Sequence, residues 1–589
     1  MRKRGKGRRP GRCWPCRIIP SETFTVKIAS LFCAVVFLVA WVPLCTAGDD
    51  GQRLERVKKL YSEEKWEEAA REAQGPAEQS AELDYYAGMA LARRERWKEA
   101  AQAFAAGVRK SPADARFLTE RAGAEYKLND FGAAKKDLRS ALRLAPDDSY
   151  IAEFLGTICL LEGNLEAALK YWNRLEKPRL TAVEVAPPAR TNKTLLDQVV
   201  LFAPPQTLQR DSLLKTDALL ENLGVFSRWR TELTPNGDDG YKATLKLTER
   251  SGWGANAIDG AILLLRGLPY ETVYPSWTGI GGWAMNFDSL VRWDSEKRRV
   301  AANLEFPVFR HPARRVRLFF DQRNENWNLS NSFLGGTTAI SDLNMRRFAG
   351  GVELHAVESG WWDWTASVEA VSREFRNVPV GLPGSAATFF TGGRSLDATI
   401  GVHRWLLRIP ERRFMVKGAG EVRGGRNYAA GLGAFGSVTG DVSARWLPKA
   451  RGEDFEIVSR LRGGDTFGDV PLDLLYELGV ERDNNLWMRG HDGTMDGRKG
   501  NAPLGRRYVL WNSELNKDVY DSGFFRLQVG PFFDAGAVTD PSGLFGSQKW
   551  LFDTGVQAKV RVLGNMSVVL SYGRDLRGGK GLFYATTAR

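Results

Sequence analysis

Side chains that could carry out catalysis are scattered along this chain of 589 residues rather than grouped. The four histidines, His311, His355, His403 and His491, are far apart in the sequence and show no metal-ligand spacing. No nucleophile elbow or phosphate-cradling glycine loop is present, and no two carboxylates pair at a spacing that would certify a catalytic site. We therefore expect a protein that is not an enzyme and that uses no cofactor and no metal.

The most informative stretch runs from Leu486 to Val538. It begins with a loop-like segment, L-W-M-R-G-H-D-G, which carries Arg489. Further on, residues 525–536 alternate between polar and apolar side chains, as in a β-strand with one polar and one apolar face. The apolar face would pack on a second sheet in a soluble sandwich, or would face lipid in an outer-membrane barrel. The alternation alone does not choose between them, and Arg489 alone could be a solvated loop arginine.

The Arg-Gly loop and the later strand F-x-D-x-G resemble the superfamily of outer-membrane protein assembly factors and two-partner secretion transporters. In that family a long loop folds into the barrel, and its Arg-Gly-aromatic tip meets the acidic residue of the F-x-D-x-G strand. The resemblance implies that the loop tip is Arg489, Gly490 and His491. It implies that the partner on the barrel wall is Asp534, framed by Phe532 and Gly536.

His491 stands where the family has an aromatic residue, so the packing of the tip is where this chain departs from the pattern. An arginine and an aspartate buried in a lumen are each costly alone. Removing one partner of such a pair typically costs about 3–5 kcal/mol.

We expect residues 251–589 to form an outer-membrane antiparallel β-barrel, and the family resemblance implies 16 strands. Each strand and its connection would then average about 21 residues, which is feasible for strands of about 9–11 residues. Apolar Val316, Leu318 and Phe320 alternate with charged Arg315, Arg317 and Asp321. A face this charged is unsuited to the core of a sandwich and favours a water-filled lumen.

Residues 1–47 are predicted to be a secretory signal peptide. They contain nine basic residues and one acidic residue, followed by an apolar run that ends in small residues. They contribute +8 of the total charge of +13, so the basic balance belongs largely to this segment and does not indicate nucleic-acid binding. The mature chain would keep a single cysteine, Cys159, and could form no internal disulfide.

The chain repeats every 34 residues from Ala81, which is the period of tetratricopeptide repeats. We expect an all-α repeat solenoid over residues 52–179, with 52–80 as a degenerate first repeat or cap. Equivalent positions in the three units hold small or bulky residues that pack the paired helices: Gly88, Ala100 and Phe104; Ala122, Ala134 and Leu138; Gly156, Ala168 and Trp172. Such a solenoid suits partner docking, although a structural spacer would have the same pattern.

Residues 180–250 read as strand, helix, helix, strand, strand, with a turn P-N-G-D-D-G between the last two. This order resembles a small α+β polypeptide-transport-associated (POTRA) module, most closely at L-E-N-L-G-V-F-S-R-W. Such a module can accept a passing chain as an added strand on its sheet edge. A simple linking domain would show the same elements.

The leading hypothesis is an outer-membrane protein that inserts or translocates polypeptides, with a periplasmic arm that recruits clients or accessory proteins. Its partners would be unfolded or secreted polypeptides, periplasmic proteins bound by the repeats, and outer-membrane lipid. The alternative is a conduit for exopolysaccharide export, which would need an open acidic or aromatic lumen and no POTRA-like module. A third hypothesis is a surface adhesin or anchor with a plugged barrel.

Overall fold

The computed structural model describes residues 47–75, 79–237, 240–250, 260–261, 264, 266–336, 339–429, 431–450, 452, 454–522, 525–547, 549–562 and 566–588. The predicted signal peptide lies outside these ranges, apart from Ala47. The chain divides into two compact units at Pro112 and Ala113, and each is described by itself.

The described part of the first unit contains four helices: α1 (Ala47–Ser62), α2 (Trp66–Ala73), α3 (Ala81–Arg93) and α4 (Trp97–Lys110). The packing between α3 and α4 follows from the small residue predicted at position 88. A Cβ placed on Gly88 would lie 2.6 Å from the ring of Phe104, so the ring packs directly on the backbone of α3. Ala100 and Phe104 are both buried, as the repeat pattern requires.

The second unit opens with four more helices: α5 (Ala115–Lys127), α6 (Phe131–Leu144), α7 (Ser149–Leu161) and α8 (Leu165–Trp172). Each begins after an Asp or Asn whose side chain accepts a main-chain N–H of the first turn, which satisfies a donor that the helix leaves free. A Cβ on Gly156 would lie 2.3 Å from the indole of Trp172. The remaining predicted packing residues are fully buried: Ala122, Ala134, Leu138 and Ala168.

A small sheet with two helices follows: β1 (Leu180–Ala186), α9 (Lys193–Val199), α10 (Arg210–Leu223), β2 (Phe226–Pro235) and β3 (Tyr241–Glu249). The strand order is β1-β3-β2, with β1 parallel and β2 antiparallel to β3. Helix α10 ends at Gly224, whose φ of 67° is a left-handed conformation that glycine adopts without strain. The order of elements is the one that the sequence pattern predicts for residues 180–250.

In the rest of the described chain, where the connections contain short helical turns such as Gly384–Ala387, the main elements are strands. These are β4 (Thr272–Val273), β5 (Ser276–Ile280), β6 (Met285–Trp293), β7 (Lys297–Pro307), β8 (Arg314–Trp327), β9 (Leu343–Val357), β10 (Trp362–Arg376), β11 (Gly393–Ile409), β12 (Phe414–Asn427), β13 (Ala434–Trp446), β14 (Phe455–Gly468), β15 (Tyr476–Glu477), β16 (Thr494–Met495), β17 (Arg498–Lys499), β18 (Leu504–Gly505), β19 (Arg507–Asp521), β20 (Phe525–Thr539), β21 (Leu551–Val562), β22 (Met566–Asp575) and β23 (Gly581–Ala588).

All of these strands except β15 and β18 form a closed barrel with antiparallel walls, in which β23 lies next to β4. Strands β15 and β18 pair with each other as a separate two-stranded sheet. Eighteen strand segments are ordered around it. Two of them, β16 and β17, are short pieces of the long connection between β14 and β19, which leaves sixteen segments on the wall. The first two, β4 and β5, pair in succession with the same neighbour, β6, so the sixteen segments in the described residues occupy fifteen positions around the wall.

The two faces of the wall differ as the alternation predicts. In β8, Leu318 and Phe320 are 45% and 40% exposed on the outside, whereas Arg315 is 5% exposed on the inside. Exposed apolar side chains recur on most of the other wall strands, for example Ile400 on β11 and Val556 on β21. A continuous apolar outer band with a charged interior is typical of an outer-membrane barrel and not of a soluble sandwich. No helix in the described part of the chain is long and apolar enough to span a bilayer.

Candidate functional site at the tip of the inward loop

The connection from β14 to β19, residues 469–506, folds back into the barrel, and we call it the inward loop. Its strand β17 pairs with β8 at Lys499 and Trp327. Its apolar residues Leu478 and Met488 pack with Leu510 of β19 in a buried cluster. The loop is therefore part of the packed interior of the barrel.

Arg489 lies at the tip of the loop, 4% exposed. Its guanidinium donates two hydrogen bonds to the carboxylate of Asp534 on β20, with Nε to Oδ2 at 2.9 Å and Nη2 to Oδ1 at 2.6 Å. Nη1 donates to Glu514 of β19 at 2.7 Å and to Gln557 of β21 at 2.9 Å. The guanidinium carbon lies 3.7 Å from the ring centroid of Phe532. Bidentate pairing and stacking together define one position for the tip.

Asp534 is fully buried and has further donors besides Arg489. The side-chain amide of Asn512 donates to its Oδ1 at 2.7 Å, and the main-chain N–H of Arg489 donates to its Oδ2 at 3.1 Å. Gly536 lies two residues along the same strand, where a Cβ would be 3.1 Å from Leu478 and Met488 of the loop. The glycine thus leaves room for the loop to lie against β20.

The tip crosses a row of side chains that the strand registers bring together. Asn512 pairs with Asp534, Asp534 with Asp553, and Asp553 with Asp575, on the four consecutive strands β19 to β22. Three aspartates in adjacent positions repel one another unless cations or donors lie between them. Arg489 supplies the cation for the first of the three.

Gly490 brings the main chain against this row. Its N–H donates to Asp553 Oδ2 at 2.6 Å. A Cβ at this position would lie 2.5 Å from the backbone nitrogen of Asp575 and 2.8 Å from the Asp553 carboxyl carbon. A side chain at position 490 would therefore displace the tip from the wall.

His491 is the residue that departs from the family pattern. Its ring Nδ1 lies 3.1 Å from the carboxylate of Asp553, and its Nε2 lies 3.8 Å from Asp575. A polar ring that contacts two carboxylates takes the place of an apolar aromatic contact. The aspartates of β21 and β22 thus provide polar contacts for the side chain at position 491, where the family has an aromatic residue.

The other end of the loop is held by charges of the opposite sense. Asp483 accepts from Arg292 of β6 at 2.8 Å and from Arg299 of β7 at 2.6 Å. Asp473 accepts from Arg373 of β10 at 2.7 Å. Carboxylates of the loop thus contact arginines of β6, β7 and β10, and the guanidinium of Arg489 contacts carboxylates of β19 and β20.

The loop leaves part of the lumen free. A cavity of about 590 Å³ remains between the loop and the inner faces of strands β11–β14, lined by charged side chains such as Arg423, Arg460 and Arg462. The lumen is therefore narrowed but retains a polar space large enough for many water molecules.

Three of the four histidines contact aspartates, although they are distant in the sequence. His355 Nε2 and His403 Nδ1 lie 3.1 and 2.9 Å from the same oxygen of Asp363. Strand pairing thus brings these three histidines to carboxylates that their spacing in the sequence does not indicate. Strand register places them near carboxylates, and sequence spacing carries no information about register.

The helical arm of the second unit contacts the barrel at the turn between β11 and β12. Glu166 of α8 accepts from Arg408 of β11 at 2.7 Å and from Arg210 of α10 at 2.9 Å. Glu411 in the turn accepts from Lys170 at 2.5 Å. Burial opposes the ionisation of Glu166, but Arg408 and Arg210 outweigh it and lower the pKa of its carboxyl.

Helix α10 also packs directly on barrel turns. Asn222 donates to the carbonyl of Pro312 at 2.8 Å, and the main-chain carbonyl of Leu223 accepts from Asn286 of β6 at 2.9 Å. Ala313 and Val357 from the barrel join the apolar core of the small sheet. We call this set of contacts, together with those of Glu166 and Glu411, the arm–barrel junction.

The structure thus brings together all six residues predicted at the tip and on its wall. The sequence analysis missed Glu514, Asn512 and Gln557, which share the Arg489 and Asp534 network, and Asp553 and Asp575, which contact His491. Glu514 and Asn512 lie at alternate positions of the segment Y-V-L-W-N-S-E-L, on the same face as Tyr508 and Leu510, so the alternation of this segment did not mark them as polar-facing.

Comparisons with known proteins give one family match and several similar folds. A family model described as tetratricopeptide repeat matches residues 119–180. No curated protein matches the chain. The solved structure of BamA from Haemophilus ducreyi lacking POTRA domains 1–3 is 13% identical, with a TM-score of 0.40, over 70% of this chain and 84% of that one.

CdiB from Escherichia coli is 12% identical, with a TM-score of 0.43, over 70% of this chain and 75% of that one. MamA from Desulfovibrio magneticus is 17% identical, with a TM-score of 0.21, over 22% of this chain and 75% of that one. The family match is confined to the helical repeats, so the assignment of the barrel depends on its own geometry.

Proposed function

We propose that the chain is an outer-membrane β-barrel that inserts or translocates polypeptides, with its N-terminal helices and small sheet in the periplasm. The apolar outer band supports the membrane location. The single observation that carries the proposal is that Arg489 donates hydrogen bonds to Asp534 and Glu514 and stacks on the ring of Phe532. This is the arrangement that the resemblance to assembly factors and secretion transporters implies.

The inward loop argues against an open conduit for polysaccharide. Its acidic residues are held by one side of the wall and Arg489 by the other, so the loop bridges the lumen. A conduit for a hydrated sugar chain needs a continuous open path. The lumen narrowed by the loop favours a barrel that handles polypeptides at its wall or after the loop has moved.

The seam between the last and first strands is the natural place for a client strand. Strands β4 and β5 have two and five residues, whereas β8 to β12 have 14 to 17. Tyr270, just before β4, donates its hydroxyl to the carbonyl of Ala585 on β23 at 2.7 Å. Short edges leave main-chain groups that an incoming strand can pair with.

The periplasmic arm would recruit clients or accessory proteins. The repeats offer the groove of a solenoid, and the POTRA-like sheet offers β1 and β2 as edge strands. The arm–barrel junction places α10 at the barrel turns, so a client bound there would already be close to the wall.

Single-channel conductance in planar bilayers tests the proposal. We expect small, flickering conductance for the wild type and a larger conductance for both Arg489→Ala and Asp534→Ala, because each releases the loop tip. A large, steady pore that neither substitution alters would contradict the proposal and would favour the polysaccharide conduit.

A further inference from the structure

The row of aspartates at the loop tip contains more negative charge than Arg489 compensates. Asp553 and Asp575 lie on neighbouring strands at paired positions, and Asp553 is fully buried. Arg489 is bonded to Asp534, Glu514 and Gln557 and makes no hydrogen bond to either of them. Like charges directly opposite each other across two strands destabilise a sheet. This pair therefore calls for a positive charge of its own.

His491 is placed to complete a cation site. Its ring, Asp553 and Asp575 each offer one ligand atom, and the three atoms lie within 4.8 Å of one another. In tetrahedral coordination at zinc, a nitrogen and an oxygen ligand are about 3.4 Å apart, given bonds of about 2.0–2.2 Å. The ring places Nδ1 3.1 Å from Asp553 and Nε2 3.8 Å from Asp575. Only one of these nitrogens would ligate the ion, and a modest turn of the ring would bring that nitrogen and both carboxylates to such distances.

An unpaired atom independently points to a ligand. Oδ1 of Asp553 is buried and has no hydrogen-bond partner within the described residues, whereas Oδ2 accepts from the Gly490 N–H. A buried carboxylate oxygen without a partner is costly. This oxygen lies 3.1 Å from His491 Nδ1, which is an ion pair if the imidazole is protonated and a separation that a metal ion can bridge if it is neutral.

We propose that His491, Asp553 and Asp575 form a site for a divalent transition-metal ion of the zinc type. One imidazole nitrogen and two carboxylates are a ligand set that suits zinc, whereas magnesium and calcium prefer sites made of oxygens alone. The ion would join the loop tip to β21 and β22, beside the pair formed by Arg489 and Asp534. The inference does not depend on what the barrel transports.

Zinc binding by the full-length, metal-stripped protein in detergent tests the site. The variants are His491→Phe, which places an aromatic residue where the family has one, and Asp575→Asn, which keeps one of the two oxygens that accept the N–H groups of Arg577 and Gly578. The matched control is His311→Phe, in an exposed turn between β7 and β8. Equilibrium dialysis with zinc chloride, at excess magnesium, gives the stoichiometry and the affinity.

We expect one zinc ion per chain in the wild type and in His311→Phe, and binding at least tenfold weaker in the other two variants. Zinc should also raise the thermal unfolding midpoint of the wild type and leave that of His491→Phe unchanged, while cobalt should give the visible absorption of a tetrahedral site. The proposal is overturned if the wild type binds no zinc, since His491 then only bridges the aspartates as an imidazolium. Equal binding by His491→Phe and the wild type also overturns it.

Discussion

Arg489→Ala should cause a large loss of stability at the loop tip. The substitution removes four side-chain hydrogen bonds, two of them to Asp534, which is fully buried. Asp534 keeps donors from Asn512 and from the main chain at position 489, but neither of these carries a charge. Breaking a buried ion pair by removing one partner costs about 3–5 kcal/mol. Since about 1.4 kcal/mol is a factor of ten, release of the tip should become roughly 100- to 4,000-fold more populated.

The assay is a double-mutant cycle in lipid vesicles with Arg489→Ala, Asp534→Ala and the double variant. The free energy of unfolding is measured by denaturant titration, and release of the loop tip is measured by hydrogen exchange of residues 486–493. The loss of stability in the double variant should be about 0.5–3 kcal/mol smaller than the sum of the losses in the two single variants, because the two residues share one interaction.

The matched control is Arg507→Ala on β19. Arg507 pairs with Asp465 at 2.9 Å, but both side chains are about half exposed, so this loss should be about 0–1 kcal/mol. The reasoning is refuted if Arg489→Ala costs no more than Arg507→Ala, or if the losses of the cycle simply add.

Three further predictions concern the arm and are measured by hydrogen exchange of the full chain. Gly156→Ala should destabilise α7 and α8 by about 1–3 kcal/mol, since its Cβ would overlap Trp172. The control is Gly123→Ala on α5, where a Cβ would have no atom within 4 Å, and this substitution should stabilise α5 by about 0.5–1 kcal/mol. Equal effects would contradict this packing. Arg408→Ala removes the hydrogen bonds to Glu166, worth about 1.5–3 kcal/mol, and should speed hydrogen exchange in α8 by roughly 10- to 100-fold. Arg412→Ala, at an exposed position, should leave this exchange unchanged. Unchanged exchange in both variants would refute the arm–barrel junction. Burial, and then the charge of Asp137, raise the pKa of the Glu125 carboxyl from 4.5 to about 7, so the folded state binds this proton more tightly than the unfolded state. Helices α5 and α6 should therefore lose protection against hydrogen exchange as the pH rises from about 4.5 through 7. A pH profile that Glu125→Gln leaves unchanged would contradict this.

The order of helices and strands could be predicted because it depends on local patterns. The 34-residue period requires small residues at Gly88 and Gly156, and the structure places an aromatic ring against each. Alternation assigned Leu318 and Phe320 to the outer face of β8 and Arg315 to the inner face, because side chains of a strand alternate whatever its neighbours are.

What the sequence could not provide is strand register. Asn512, Asp534, Asp553 and Asp575 form one row only because four strands pair in a particular register, and no spacing along the chain encodes it. The same reason explains why the aspartate partners of His355, His403 and His491 were missed. The partner of Arg489 was predicted from the resemblance to a family and not from the residues alone.

The arm–barrel junction was also beyond the sequence pattern. Glu166 and Lys170 are on a helix whose charges would serve equally well on a solvated face. Their partners Arg408 and Glu411 lie about 240 residues away in the chain. Contacts between distant elements depend on how the elements are placed in space, which a period or an alternation does not specify.

The most direct test of polypeptide handling is site-specific photo-crosslinking in growing cells. A photoreactive residue would replace Phe583 on β23, which is 64% exposed at the seam, or Ile400 on β11, which is 62% exposed on a distant part of the wall. Polypeptide adducts at position 583 and none at position 400 are the predicted result. Equal adducts at both positions, or none at either while the barrel is correctly inserted, would contradict a role in inserting or translocating polypeptides at the seam.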